Sequence, residues 1–466
     1  MDAPDAVGES GSPSCGDTVR IQLRIGGGRV RDARFLAFGC GAAMAAASAA
    51  CARLDGAALD DALRLSAGDL DADLGGLGPA RRHGPDLVAD AVARALEAWH
   101  SARLGSRGIP LDGRRVAVAM SGGVDSAVAA MLLRDAGLDV VGVTMRLWHD
   151  PHAAAAERSC CSPETVRLAR ASAHALGIPH LTLDVAETFR RGVVESFVRG
   201  YREGRTPNPC VTCNGTVRFQ VLAQAAALVG ARRLATGHYA RVAREGLRPV
   251  IARAVDAAKD QSYMLAALEG PLLERLELPL GRLAKADVRA MARAAGLPAA
   301  DAVESQEVCF VGVGGYARFL ERSAGMAPRE GEIVDRDGRA LGTHRGHWNF
   351  TVGQRRGVGV AASEPLYVLA TDAVRNRVVV GPRAALATRS LRLEDAVVHT
   401  SVAGELEVRV RYRGRGLRGR VSGTEGTALT VALSDPADGV APGQTAALYR
   451  EGRLVAAGTI VEAKER

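Results

Sequence analysis

The chain runs to 466 residues, 47% of them hydrophobic, and 60 Lys and Arg against 52 Asp and Glu leave a formal net charge of +8. That length exceeds what one hydrophobic core supports and predicts three or four domains. The start (Met1-Asp-Ala-Pro-Asp-Ala) is acidic and polar and the longest apolar stretch near it, residues 42–50, is too short for a bilayer, so no signal peptide and no membrane partner are expected and a cytoplasmic protein is.

Residues 1–12, rich in Asp, Gly, Ser and Pro, read as disordered. Residues 17–38 alternate in a strand-like way around a hairpin turn at Gly26-Gly27-Gly28. Helices are expected over 43–54 and 85–104, and residues 105–113 read as a linker and a domain boundary. Strands at 116–120, 140–145, 180–183 and 233–236 then alternate with helical patterns, which predicts a parallel sheet covered on both faces. From about residue 311 short strand-like runs and Gly/Asp turns suggest a small α+β domain to about 381. Runs at 391–398, 406–412, 429–433 and 446–449 read as a β-barrel. Arg409, Arg411, Arg413 and Arg415 alternate, so a strand there would put all four on one face, as a phosphate-meeting stripe or as a charged edge that resists aggregation. The first 100 residues carry a balance of −4 and the rest +12, which suits a polyanionic partner and equally suits plain solubility. There is no internal repeat.

The most informative stretch is residues 116–126, where a β-branched run breaks into Ala119-Met120-Ser121-Gly122-Gly123-Val124-Asp125-Ser126 and a helix pattern follows. Gly122 and Gly123 let the backbone approach an anion, and the helix N-terminus adds free amides and its positive dipole end. Ser121 and Ser126 offer hydroxyls, and Asp125 offers a carboxylate for Mg²⁺ or a water. The pattern lacks the P-loop and dinucleotide spacings. It resembles the signature of the PP-loop ATP pyrophosphatases, which adenylate a substrate and release pyrophosphate.

Eight cysteines are present: Cys15, Cys40, Cys51, Cys160, Cys161, Cys210, Cys213 and Cys309. A structural disulfide framework is not expected in a reducing cytosol. Cys210 and Cys213 form a Cys-x-x-Cys in a loop held extended by prolines, and Cys309 follows far downstream. Spacing alone leaves zinc, redox, cluster and unreactive-thiol readings open. Cys160 and Cys161 receive no role.

Together with residues 116–126, the motifs Val143-Thr-Met-Arg-Leu-Trp148, Cys160-Cys-Ser162, Gly204-Arg-Thr-Pro-Asn-Pro-Cys210, Thr236-Gly-His-Tyr-Ala240, Lys259-Asp-Gln-Ser-Tyr263, residues 301–310 and Thr351-Val-Gly-Gln-Arg355 resemble the tRNA 2-thiouridylase family from about residue 115 onward. The resemblance implies that residues 119–126 hold ATP, with Met145 and Gly237 contacting the nucleotide, and that Asn208, Pro209 and Cys210 lie by the target base. It makes Cys213 the nucleophile and Cys309 the persulfide carrier, with Asp125 in the adenylation step. His238, Lys259, Asp260, Gln261, Arg411, Tyr412 and Gln444 match tRNA-contact positions, while Cys210 stands where some members have Asp. The implied cofactors are ATP and Mg²⁺, and the implied partners are tRNA and a sulfur donor protein such as a cysteine desulfurase or a sulfur relay. Two sulfur routes are implied: a Cys309 persulfide leaving a Cys213–Cys309 disulfide, or a [4Fe–4S] cluster on Cys210, Cys213 and Cys309. Two rivals are an amidating PP-loop synthetase and an iron–sulfur assembly or carrier protein with an ATPase module.

Ser14-Cys15-Gly-Asp17, residues 33–44 and Arg82-His83-Gly84 resemble the IscU/NifU iron–sulfur scaffold family over about residues 13–100. Cys15, Asp17, Cys40 and His83 match its metal ligands and imply zinc or an iron–sulfur cluster, but Gly84 stands where a third cysteine belongs. Cys51, roughly three helical turns beyond Cys40, is a poor substitute. The expected fold is multidomain: an α+β IscU/NifU-like domain (1–104), a linker (105–113), an α/β PP-loop domain with a parallel sheet of the adenine nucleotide alpha hydrolase-like kind (114–310), a small α+β central domain (311–381) and a C-terminal tRNA-binding β-barrel (382–466).

Overall fold

The computed structural model describes residues 1–106, 108–148, 162–302, 308–312 and 314–465. Cys160, Cys161 and the middle of the 301–310 motif lie outside the described residues.

The N-terminal unit is a three-stranded antiparallel meander, β1 (Ala6–Gly11), β2 (Thr18–Gly26) and β3 (Arg29–Phe38). It carries α1 (Gly41–Leu54), α2 (Leu59–Arg64), α3 (Ala67–Asp73) and α4 (His83–Ser101). Alternation in β2 buries Val19, Ile21 and Leu23 against these helices. The expectation of disorder over residues 1–12 is corrected: residues 6–11 form β1, in register from Ala6 opposite Leu23 to Gly11 opposite Thr18. The small residues that read as disorder serve close packing. A Cβ on Gly8 would lie 2.1 Å from the Ala91 carbonyl oxygen of α4.

The second unit has the expected parallel strands, β4 (Asp112–Ala119), β5 (Asp139–Arg146), β6 (His180–Asp184) and β7 (Ala231–Thr236). Between them lie α5 (Val124–Asp135) and α6 (Pro163–Ala175) among other helices. After β7 the chain makes a hairpin, β8 (Ala240–Glu245) and β9 (Arg248–Arg253), and then the short strand β10 (Leu276–Glu277). The sheet order is β10-β7-β4-β5-β6. The chain therefore builds outward from β4 on one side and returns to its other side with β7. Such a reversal opens a crevice at the carboxyl ends of the strands.

Helix α4 packs along the outer strand β6, and one buried core runs from Val88, Val92 and Leu96 into Leu181 and Leu183. Arg115–Asp60 (2.6 Å), Arg170–Asp90 (3.0 Å) and an Arg146–Glu97 pair tie the two units together. A sheet edge that would otherwise be open to pairing is thereby covered.

A four-stranded sheet follows, with β11 (Gly331–Val334), β12 (Ala340–His344), β13 (Tyr367–Asp372) and β14 (Arg377–Gly381) in the order β12-β11-β14-β13. The barrel comprises β15 (Ala387–Val398), β16 (Leu406–Arg409), β17 (Leu417–Glu425), β18 (Ala428–Asp438), β19 (Thr445–Arg450) and β20 (Arg453–Lys464), closed by pairing of β15 with β20. The β8–β9 hairpin, unforeseen from the sequence, joins this sheet where Ala252 pairs with Arg453. The arginine stripe is also corrected. β16 ends at Arg409, and Arg411, Arg413 and Arg415 lie in the following turn, with Arg413 at φ +58°. A left-handed residue breaks period-two alternation, so the four side chains do not share one strand face. Among the described residues no helix is long and apolar enough to cross a membrane.

Candidate nucleotide and thiol site

The loop leaving β4 closes on itself at the crevice. The Ser126 hydroxyl donates to the Gly123 carbonyl (3.0 Å) and accepts from the Ser121 amide (3.1 Å). Gly122 sits at φ +74°, and a Cβ there would lie 2.3 Å from the Thr165 carbonyl oxygen at the start of α6. Gly237, just after β7, rests on the start of α5, where a Cβ would come within 2.7 Å of the Asp125 carbonyl carbon. Both glycines are therefore contacts between backbones, as a cradle for an anion requires. Ala119 and Met120 end β4, Val124 opens α5, and Met145 is buried near the end of β5.

Several supporting residues were not legible in the sequence. The Thr144 hydroxyl donates to the Met120 carbonyl (2.8 Å) and accepts from His180 Nε2 (2.8 Å), bracing the loop from beneath. Burial holds His180 well below the usual histidine range, so the ring is neutral. The sequence signal was slight: Thr144 in the apolar run of β5 and His180 at the first position of β6. Lys285, buried at the start of the helix Lys285–Ala294, places its ammonium 2.7 Å from both Asp125 oxygens. The Tyr239 hydroxyl donates to the same carboxylate at 2.8 Å. Asp125 is thus engaged in an internal ion pair.

The cysteine loop is held by the barrel. The Thr206 amide donates to the Pro442 carbonyl (2.8 Å), and Gln444 Nε2 donates to the Thr206 carbonyl (2.8 Å). Asn208 caps the short helix Pro209–Cys213 by accepting from the Val211 amide (3.2 Å). Cys213 is 5% exposed, and burial pushes the Cys210 thiol up. Cys309 is half-buried beside Phe310, whose ring packs against Phe197 and Phe319 (5.2 Å each), Phe189 (5.7 Å) and Trp148 (6.3 Å). All six described cysteines are free thiols. Among the described residues the sulfurs of Cys210, Cys213 and Cys309 do not all lie within 4.8 Å of one another, so they do not form a single-ion site.

The positions matched to tRNA contacts divide. Asp260 is buried and accepts from the Ala254 amide (3.0 Å), the Ser262 amide (3.2 Å) and the Ser262 hydroxyl (2.9 Å). Gln261 accepts from the Tyr239 amide (2.9 Å), and His238 pairs with Thr236 (2.7 Å) and is pushed by burial to about 3. Asp260, Gln261 and Gln444 thus spend their polar groups inside the fold. Tyr412, Arg409 and Arg413 line a 320 Å³ cleft with Asp260 and Tyr263, while Lys259 and Arg411 sit in the two flanking segments.

The N-terminal residues do converge. Ligand atoms of Cys15, Asp17 and His83 lie within 4.8 Å of one another, and His83 Nε2 is 3.0 Å from Asp17 and 3.4 Å from the Cys40 sulfur. Hydrogen bonds from Cys40 and His83 hold the Asp17 carboxyl below its usual range. Gly84 has a packing reason: a Cβ there would press on Ala42 and Ala43 backbone atoms at 2.9 Å. Cys51 is not gathered with these residues, and burial together with nearby carboxylates raises its thiol to about 11.

The fold and the closed glycine cradle define a PP-loop nucleotide-binding enzyme fused to a scaffold-like thiol domain. Family models match for the tRNA methyl transferase HUP domain (114–313), the NifU-like N terminal domain (1–104), the tRNA methyl transferase PRC-barrel domain (317–382) and the aminomethyltransferase beta-barrel domain (388–460). The chain is 45% identical to the bifunctional protein NifU/MnmA of Rubrobacter xylanophilus, over 99% of this chain and 95% of that one. It is also 45% identical to the tRNA-specific 2-thiouridylase MnmA of Xanthobacter autotrophicus, over 75% and 93%, and 46% identical to that of Methylorubrum extorquens, over 74% and 93%. The chain belongs to the MnmA family of tRNA-specific 2-thiouridylases, in the form that carries a NifU-like N-terminal domain.

Proposed function

We propose that this protein is a tRNA 2-thiouridylase that adenylates the C2 oxygen of the wobble uridine and replaces it by sulfur, giving 2-thiouridine, AMP and pyrophosphate. The observation that carries this reading is the closed glycine cradle at the sheet crevice, in a chain 45% identical over 99% of its length to a NifU/MnmA protein. A uridine C2 carbonyl is a poor electrophile, and AMP on its oxygen makes that oxygen a good leaving group. Residues 119–126 would hold the triphosphate, with Met145 and Gly237 beside the nucleotide. Mg²⁺ would arrive on the triphosphate and neutralise charge on the departing pyrophosphate. Asn208, Pro209 and Cys210 would meet a base splayed from the anticodon loop. Lys259, Arg411 and Tyr412 would reach the RNA, whereas His238, Asp260, Gln261 and Gln444 would act by holding its contact segments. The same reading divides the chain at residues 105–113, near 310 and near 381.

Sulfur would come from a donor protein, a cysteine desulfurase or a relay, as a persulfide on Cys309. The terminal sulfur attacks C2 and AMP leaves. The Cys213 thiolate then attacks the Cys309 sulfur, which frees the thiouridine and leaves a Cys213–Cys309 disulfide for an external dithiol to reduce. A [4Fe–4S] cluster held by Cys210, Cys213 and Cys309, each on a different iron, is the alternative source of sulfur, and the persulfide route runs without one. The decisive assay is pyrophosphate release from ATP, with nucleoside analysis of the tRNA. Release that depends on tRNA and accompanies 2-thiouridine is expected. Release without tRNA and without thiolation would point to a different PP-loop enzyme.

At the N-terminal site the donor set of two thiols, one imidazole and one carboxylate suits a single tetrahedral zinc ion held by Cys15, Asp17, Cys40 and His83. The full chain is expected to take up one Co²⁺ per molecule with thiolate charge-transfer absorption, and Cys40→Ser to lose both. Unchanged spectra in that variant would remove Cys40 from the site. Point variants are the appropriate tool, because removing residues 1–104 would strip α4 from β6.

A further inference from the structure

Two segments converge on the first turn of α5. The segment after β7 lays Gly237 on it and carries Tyr239, whose hydroxyl bonds Asp125, and the helix Lys285–Ala294 brings in a buried ammonium. The Lys285 backbone is itself fixed, its amide donating to Asp256 (3.1 Å), and its ammonium stands 5.8 Å from the Tyr239 ring centre. The Tyr239 amide is in turn held by Gln261. A buried ammonium is costly without a counter-charge, and Asp125 supplies one with both oxygens at 2.7 Å. Yet a carboxylate in the first turn of a phosphate-cradling helix repels the triphosphate it must admit. The Lys285 ion pair neutralises that carboxylate within the protein itself.

Resting on the ATP-dependent reading above, we propose that Lys285 is a catalytic residue whose ammonium contacts the β- and γ-phosphates of ATP. Asp125, itself fixed by the Tyr239 hydroxyl, holds this ammonium in waiting beside the cradle. When ATP enters, the ammonium is shared with the phosphate oxygens and Asp125 keeps it aimed. As pyrophosphate departs from the α-phosphorus, carrying the bond pair, the growing negative charge falls on this cation as well as on the loop amides.

The test compares ATP and AMP binding by calorimetry, together with kcat and KM for tRNA-dependent pyrophosphate release, in full-length Lys285→Met, Lys285→Arg and the double variant Lys285→Met/Asp125→Asn. Lys285→Met is expected to weaken ATP binding and lower kcat/KM by about 100-fold or more, with AMP affinity much less affected because AMP lacks the outer phosphates. Lys285→Arg is expected to recover much of the loss. The double variant removes the uncompensated carboxylate as well. If it stays weak toward ATP, Lys285 meets the phosphates directly. If it regains wild-type ATP affinity, Lys285 serves only to neutralise Asp125 and the proposal is overturned. Equal losses for ATP and AMP, with a lowered melting temperature in both Lys285 variants, would also overturn it by marking a purely structural role. A wild-type enzyme that releases no pyrophosphate with tRNA would instead count against the thiouridylase reading itself.

Discussion

Cys309→Ala is expected to abolish 2-thiouridine formation while AMP transfer to the tRNA survives. The two half-reactions use different parts of the molecule. On the proposed reading adenylation uses the cradle of residues 120–126, braced by Thr144 and His180 under Met120 and by Gly237 on Asp125 rather than by Cys309. Sulfur transfer needs a thiol that can be loaded and then attacked. Cys309 is half-exposed, and Phe310 pins it into the ring cluster of Phe189, Phe197 and Phe319. Removing one partly exposed sulfur should leave the fold intact, with a stability change of about 1 kcal/mol or less. Cys213→Ala should likewise stop turnover, because nothing would then cleave the persulfide linkage at the Cys309 sulfur. The checking measurement is nucleoside analysis of product tRNA beside transfer of α-labelled AMP, with iron and acid-labile sulfide determined on anaerobically purified full-length protein. Thiolation that persists without Cys309 would sink the persulfide scheme. Iron and sulfide lost on Cys210→Ala together with thiolation would replace it with a cluster.

Gly122→Ala is the second large effect, an expected loss of ATP binding and pyrophosphate release of about 100-fold. Two costs coincide at this position. The φ of +74° is strained for any residue with a Cβ, and that Cβ would sit 2.3 Å from the Thr165 carbonyl oxygen. The obstructing atom is backbone at the start of α6, so it cannot rotate aside. Either the loop opens, which breaks the Ser126 hydrogen bonds that close the cradle, or α6 backs away and the cradle loses its support. Gly123→Ala is the contrast: φ is −89°, and the nearest atom to a Cβ would be the Ser121 hydroxyl oxygen at 3.6 Å. Its loss should be under about tenfold, since neither cost applies there. Calorimetric titration with ATP separates the two. Equal losses would show that glycine flexibility, rather than the Thr165 contact, governs the loop.

Much of the architecture was readable because it is written in local pattern. The four main strands of the parallel sheet, the glycine turn into α5 and helices α1 and α4 all follow from apolar period and turn chemistry within a dozen residues. The four candidate N-terminal ligands were also readable, in three short motifs, and the structure brings Cys15, Asp17 and His83 together with Cys40 3.4 Å from His83. The misses share a different origin. Residues 6–11 looked too small and polar for structure, yet Gly8 is small because α4 lies against it. The arginine alternation looked like a strand, yet the turn after Arg409 takes those residues out of it.

What the sequence by itself determined is the order of the main strands and helices, the glycine turn into α5 and the supply of thiols, since backbone propensity and side-chain chemistry are properties of neighbouring residues. What only the tertiary structure decided is where each polar group spends its hydrogen bonds. Asp125 finds Lys285, 160 positions away, Gln444 finds Thr206 across 238, and Asp260 turns inward to its own backbone. A carboxylate or an amide reads the same in one dimension whether its partner is water, a nucleic acid or the fold itself. Burial removes the water and leaves only the partner that packing has brought within reach.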